Sequence, residues 1–515
     1  MKKNIVVLVL LSLILSTSCR DDFELERSFG QLEFSKDTLF LDTVFSTIGS
    51  STYSFKVYNK SSQDINIPSI ALNQGVNSNF RLNVDGVAGQ QISDINVLAR
   101  DSIFVFVEVT ANIETLTQGE TSFLYTDQIN FDSGSNQQQI ELVTLVQDAH
   151  FLFPERFEDG STETLSLGLD EEGGQVQING FILDETQLRF TNEKPYVIYG
   201  FAGVPSGSTL HIEPGARIHF HDNSGIIASN GSTIKAIGEL SEDQTLLENE
   251  IIFQGDRLES SFSDVPGQWA ALWLTQGSTG HVFNHVTIKN STVGILMDSN
   301  DGGEEPTLTL KNTQIYNSAN VGLLARTGFV DGENLVINNS GQASLNLSLG
   351  GRYNFRHSTF ANYWRNSFRQ FPAVLIENNL LAGETLFVSD LVEATFSNCI
   401  IYGNEAIELI FNRDEGAAFN YKFENCLIRF NDTTNRFSSD ALYDFENTVR
   451  FDNLILNEVP QFLDVNTNQL IISNESPARG AGNPDTANQV PSDILGRDRT
   501  QRPDLGAYQS TEFEQ

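Results

Sequence analysis

The sequence predicts an all-β chain in two parts, a β-sandwich followed by a solenoid of stacked strands. Three observations carry this. The 515 residues include 37 Phe and 39 Gly beside 2 Met, a balance that favours short strands and tight turns over helices. From Leu39 to Val146 apolar and polar residues alternate. Beyond Phe283 a short motif returns at a nearly constant interval.

Charge and cysteine set the first limits. The 31 Lys+Arg face 67 Asp+Glu, a net charge of −36 at pH 7. Such a surface repels phosphate backbones and excludes nucleic acid as a partner. A hydrophobic share of 39% allows a buried core and excludes global disorder. Three Cys without a CxxC pair exclude a disulfide-rich scaffold.

The amino terminus reads as an address. Met1, Lys2 and Lys3, the apolar stretch Ile5 to Leu15, and Ser16, Thr17 and Ser18 before Cys19 are the three parts of a secretory signal. The apolar stretch is too short to span a bilayer, which takes ~20 residues. It resembles a bacterial lipoprotein signal, which implies a signal peptide over 1–18 and Cys19 as the acylated first residue. Arg20, Asp21, Asp22, Phe23 and Glu24, in an acidic tether over 19–29, resemble the tag of Bacteroidetes lipoproteins displayed outside the outer membrane.

Residues 30–150 come next. Tyr53 to Tyr58, Ile65 to Ile67, Phe80 to Val84, Ile103 to Val109 and Ile140 to Val146 are short alternating segments broken by polar turns. This patterning predicts an immunoglobulin-like β-sandwich. Val57 to Asn59, Ile65 to Ile70, Phe80 and Val84 to Gly86 resemble the Hydin-type immunoglobulin-like modules found beside larger domains in bacterial surface proteins. The implied role is a spacer.

Residues 160–510 carry the repeat. Pro195 to Gly200, Val204 to Gly215 and Ile226 to Gly231, ending at Pro266 to Trp269, resemble the opening coils of right-handed parallel β-helix proteins. A polar residue between apolar ones then recurs at His285, Asn312, Asn334, His357, Asn378, Asn398, Asn425 and Asn453, in steps of 27, 22, 23, 21, 20, 27 and 28 residues. One strand set per 20–28 residues marks a β-solenoid. At a tight turn Asn tolerates the left-handed conformation, and its amide can bond its equivalent one coil above. The preceding residues, expected to face outward, read Asn284, Lys311, Glu333, Arg356, Glu377, Ser397, Glu424 and Asp452. Of these, Lys311, Glu333, Arg356 and Glu377 alternate in charge in consecutive coils, each pair contributing ~0.2–1 kcal/mol. Ser476 to Gly482, Asp493 to Arg497 and Arg502 to Tyr508 resemble the closing segment of bacterial β-helix surface proteins and are expected to cap the last coil. Cys399 and Cys426 follow the ladder residue in adjacent coils, so they are expected as two stacked thiols, since parallel in-register strands disfavour disulfide geometry.

Chemistry is sparser. Asn334 to Ile376 holds no Asp or Glu in 43 residues, yet contains Arg352, Arg356, Arg365, Arg369 and His357, with Tyr353, Tyr363, Trp364 and Phe368 among them. Arg forks bind carboxylate or sulfate, and aromatic faces stack on sugars. Arg352, Tyr353, Tyr363, Trp364, Arg365 and Arg369 are therefore the candidate glycan contacts, on a loop expected over Arg352 to Phe371. The competing reading is that these arginines pair with acids brought in by the fold. No catalytic residue is assigned. A lyase could draw on Arg352, Tyr353, Tyr363 and Arg365, whereas a hydrolase needs two carboxylates. His211, His219 and His221 are weak metal candidates. The acids of Asp298 to Glu305 read as a solvated loop, because Gly302 falls one place too early for a calcium loop. Trp269 and Trp273 can stack on sugar or pack in the core. No cofactor is expected, with calcium and zinc left open.

The sequence thus reads as a lipid-anchored outer-membrane protein whose β-helix is a non-enzymatic binding or adhesion surface for carbohydrate. A polysaccharide lyase or glycoside hydrolase on the same fold is the second reading. A structural envelope protein binding other proteins is the third. The expected partners are the outer membrane, through the lipid anchor, and an acidic polysaccharide or an envelope protein.

Overall fold

The computed structural model describes residues 25–169, 174–298 and 303–513. The signal peptide and Cys19 lie outside the described residues. The fold is all-β, and its two α-helices among the described residues, Ile113–Leu116 and Pro484–Gln489, are short. None is long and apolar enough to cross a membrane. The chain divides into two compact units between Asp148 and Ala149.

The first unit is a β-sandwich. A six-stranded sheet holds Thr38–Phe45, Ile65–Leu72, Ser122–Phe131 and Gln138–Gln147, and a five-stranded sheet holds Tyr53–Tyr58, Phe80–Val84 and Ser102–Val109. The alternation works as read: Phe55, Val57, Val105 and Val107 are buried while Phe104 and Phe106 are exposed. Inner faces of both sheets share one core, in which Phe55 meets Phe131 edge-on at 6.3 Å.

In the second unit, successive coils pair in parallel, in one 19-stranded and one 10-stranded array. One coil consists of Phe329–Glu333, Val336–Ser340 and Leu345–Ser348. Each strand pairs in register with its counterpart in the next coil: Gly332 with Phe355, Ile337 with Phe360, Leu347 with Ile376. This is the pairing that a parallel β-helix requires. The Phe excess fills its interior, since Phe355, Phe396, Phe423 and Phe451 occupy equivalent buried places. Phe396 and Phe423 stack at 4.7 Å.

The corner between the first two strands is the expected ladder. His285, Asn312, Asn334, His357, Asn398, Asn425 and Asn453 all have φ between 44° and 57°, the region that Asn visits most cheaply. Asn334 Nδ2 donates to Asn312 Oδ1 at 2.8 Å, and Asn398 Nδ2 to His357 Nε2 at 2.9 Å. Asn378, expected in this ladder, does not belong to it. It follows the strand Val374–Glu377 of the other array, where its Nδ2 donates to the Asp414 carbonyl. A hairpin inserted at Asn379–Ala382 and Thr385–Val388 repeats the motif by chance, and the true step from His357 to Asn398 is 41 residues.

The outward column holds with the same exception. Lys311 pairs with Glu333 at 2.8 Å, and Arg356 reaches Glu333 at 3.5 Å and Asp331 at 2.9 Å. Glu377 lies in the other array, and Ser397 is Arg356's true neighbour. A second ladder follows the next strand: Asn290, Asn317 and Asn339 have φ of 65°, 55° and 57°. Asn339 Nδ2 donates to Asn317 Oδ1 at 2.6 Å, and Asn317 Nδ2 to Asn290 Oδ1 at 3.2 Å. Each stands five residues after a member of the first ladder, a signal present in the sequence. Cys399 and Cys426 are free, buried thiols, and burial pushes that of Cys426 up.

The carboxy-terminal segment does not cap the last coil. It lies along the flank of several coils, over the outward side of the second strands. Leu470, Ile494, Ala507 and Tyr508 pack on Val336 and Ala361, and Ile472, Ala478 and Leu505 on Ile400 and Leu427. Asn425 Nδ2 donates to the Ala481 carbonyl, Arg499 to Asn334 Oδ1 and the Tyr508 hydroxyl to Gln314 Oε1. The ladder amides thus serve as an edge for this segment as well as for each other. Gln509 is part of its frame, as its Oε1 accepts from Asp504 N and its Nε2 donates to the Arg502 carbonyl.

Candidate functional site

The arginine window does not present its six candidates on one exposed surface. Residues 351–356 and 359–362 are strands of the solenoid rather than an inserted loop. Tyr353 points inward, is fully buried, and donates its hydroxyl to the Gly350 carbonyl at 2.7 Å. Arg352 lies over the Phe329 ring at 5.4 Å, and Arg356 belongs to the charge column. Tyr363 is half-buried and meets Phe462 of the carboxy-terminal segment edge-on. Trp364 is buried, with its Nε1 donating to Ser367 Oγ. Arg369 is buried in an ion pair with Glu408, at 2.6 Å to Oε1 and 2.9 Å to Oε2, and also donates to the Asn362 and Phe371 carbonyls. Of the six candidates only Arg365 is exposed. The fold brings in the missing acids: Asp331 and Glu333 come from the coil before, and Glu408 from the coil after.

The three imidazoles do not converge either. Ile218 and Phe220 fill the interior as parity requires, but His219 is covered, its Nδ1 is 3.1 Å from the Gly255 carbonyl, and burial lowers its pKa to about 4. His221 pairs with Asp256 at 2.7 Å. His211 stands exposed between Arg189 and Lys235 of neighbouring coils. Among the described residues no group of three or more His, Cys, Asp or Glu is placed to hold a metal. Within the acidic stretch Asp298 to Glu305, residues 299–302 lie outside the described residues.

A different place has the shape of a binding site. Along the 10-stranded array runs a cavity of about 1000 Å³. One wall is the hairpin Thr164–Leu169 and Gln175–Ile182, which contributes Leu165 and Leu167. The inserted hairpin contributes Leu380, Ala382 and Phe387 from the far side. Glycine makes room for the first wall, because a Cβ on Gly203 would come within 3.3 Å of Leu165 Cδ1 and 2.9 Å of Ile182 Cδ1.

Three consecutive coils place the central groups. Ala271–Leu274 turns Leu272 and Leu274 inward and Trp273 outward, where it is half-buried in the cavity lining. Its Nε1 donates to Asp298 Oδ2 at 3.0 Å, and Asp298 Oδ1 pairs with Arg326 at 2.8 Å. Ser229, Asn230, Thr275 and Gln276 add hydroxyls and amides around it. An aromatic face beside neutral donors and acceptors suits a ligand that is apolar on one side and hydroxyl-rich at its edge. Trp269, which shares the sequence parity of Trp273, instead precedes the strand, turns inward and stacks on Phe220 at 4.4 Å. Among the described lining residues Asp298 is the only carboxylate, and both of its oxygens are engaged.

No family model and no curated protein matches the sequence. Among solved structures, a family 123 glycoside hydrolase from Clostridium perfringens aligns at 8% identity with a TM-score of 0.16, over 22% of this chain and 26% of that one. The PapD-like domain 7 of human CEP192 aligns at 7% identity with a TM-score of 0.15, over 24% of this chain and 87% of that one. The chain spans about a quarter of the hydrolase. At these scores neither likeness bears on the fold or the function.

Proposed function

We propose that this chain is a lipid-anchored protein of the outer membrane, facing outward, whose β-helix binds carbohydrate without turning it over. The observation that carries the binding is the half-buried Trp273 between the two hairpin walls, fixed through Asp298 and Arg326. A sugar ring stacked on the indole would keep its edge hydroxyls within reach of Asn230, Thr275 and Gln276. Asp298 and Arg326 offset each other's charge, so the cleft favours hydroxyl groups over charge. Glycoside hydrolysis by two carboxylates would need a second one ~5–9.5 Å from the first, and the described lining supplies one.

Binding to a panel of neutral and acidic polysaccharides tests this reading. Trp273→Ala should weaken the best neutral ligand about tenfold or more, with the melting temperature of the variant as a control for folding. A silent Trp273→Ala would overturn the site. Appearance of unsaturated or newly reducing products would favour the lyase or hydrolase reading instead. The anchor is tested separately. Cys19→Ala should move the protein from the membrane to the soluble fraction, and a variant that stays with the membrane would contradict acylation at Cys19.

A further inference from the structure

The first coils carry a row of basic side chains. Arg189, His211 and Lys235 occupy directly opposed places in three adjacent parallel strands, ~4.8 Å apart. Their neighbours Phe190, Leu210, Ile212, Ile234 and Ala236 are buried, so the three basic side chains share the outward face. Positive charges gathered on one face of a sheet, such as Arg189 and Lys235 on either side of His211, disfavour each other. Further along the stack Lys311, Glu333 and Arg356 alternate in sign instead. Among the described residues, the acid that pairs with this row is Glu213, on Arg189. The ionisable groups lining the shallow cavity of about 400 Å³ at this place are Arg189, His211, Glu213 and Lys235.

We propose that this row is a second binding site, which takes an acidic glycan bearing carboxylate or sulfate groups along its chain. The anionic groups of the ligand would do what alternating acids do elsewhere in the stack. A chain of repeating anions fits better than a single ion, because the cations are spaced along the stack rather than gathered around one point. In a protein of net charge −36, long-range repulsion of such a ligand makes a local cationic row necessary for it to dock at all. The site lies on the first strands of the coils, whereas Trp273 lies in the 10-stranded array, and it does not depend on the carbohydrate reading of that groove.

The test uses the whole protein with dextran sulfate, polygalacturonate and uncharged dextran as probes. The expected result is binding of one or both acidic polymers and not of dextran, weakening as salt rises. Lys235→Ala and His211→Ala should each reduce the affinity about threefold to tenfold, and Trp273→Ala should leave it unchanged. Both changes are on outward side chains, and unaltered melting temperatures would confirm that the fold survives them. The proposal is overturned if neither acidic polymer binds or if both variants bind as the parent does. It is equally overturned if inorganic sulfate, at the same total sulfate, displaces dextran sulfate completely.

Discussion

Replacing Arg369 by Ala is expected to destabilise the second unit by about 3–5 kcal/mol, the loss that follows when one partner of a buried ion pair is removed. The guanidinium is 1% exposed and the Glu408 carboxylate 0%. Without Arg369 the carboxylate keeps only the backbone donors Ala373 N and Glu405 N. The loss depends on pH in a definite direction. Burial pushes the Glu408 carboxyl up from its ordinary 4.5, and Arg369 opposes this. A carboxyl raised in the fold contributes stability that is complete below its unfolded range and lost as pH rises through its folded value. The variant lacks the opposing charge, so its deficit should be largest at neutral pH and shrink as pH falls toward 4.5. Thermal unfolding of variant and parent at several pH values checks both parts. Arg365→Ala, on an exposed side chain nearby, should stay within ~0.5 kcal/mol of the parent. Equal stability of Arg369→Ala and the parent at pH 7 would mean that the pair does not form.

Replacing Asn398 by Ala should cost about 3–5 kcal/mol and also loosen the carboxy-terminal segment. Two causes add. The residue sits at φ 57°, where a side chain without a local hydrogen bond costs ~1–2 kcal/mol. Its amide also makes three hydrogen bonds to two residues: Nδ2 donates to His357 Nε2 and to the Asn483 carbonyl, and Oδ1 accepts from Asn483 N at 2.6 Å. Buried groups left unsatisfied cost ~1–3 kcal/mol each. Asn398→Gly relieves the backbone but restores none of these bonds, so it should recover about 1 kcal/mol and no more. Limited proteolysis gives a second readout, with cleavage beyond Gly482 expected to accelerate in both variants. Unchanged protection of that segment would refute its docking on the ladder.

The parts of the fold that were legible in the sequence are those set locally. A left-handed corner selects Asn or His at the position itself, and the outward neighbour shows the register, so the ladder and the Lys311, Glu333, Arg356 column could be read residue by residue. Asn378 misled because the hairpin 379–388 supplies the same apolar, Asn, apolar spacing in another strand. The arginine window misled for a reason peculiar to solenoids. A charge is neutralised by its neighbour one coil away, so Arg356 and Arg369 look unpaired within any window shorter than a coil. The two tryptophans share a parity, and only the start of the strand at Ala271 separates the buried Trp269 from the cavity-lining Trp273. The cavity itself was not legible, because Leu165 and Phe387 come from hairpins more than 200 residues apart and meet the same cleft only once the coils are stacked. Trp273 was nonetheless visible as a sugar-stacking candidate.

Carbohydrate is proposed to sit at Trp273 and not at the arginine window. The decisive measurement is a crystal structure of the protein with an oligosaccharide drawn from its best neutral polysaccharide ligand. A sugar ring is expected on the Trp273 indole, between Leu165 and Phe387, with Asp298 and Arg326 still paired beneath it. A sugar seated instead against Arg365 and Phe368, with the Trp273 cleft empty, would contradict it.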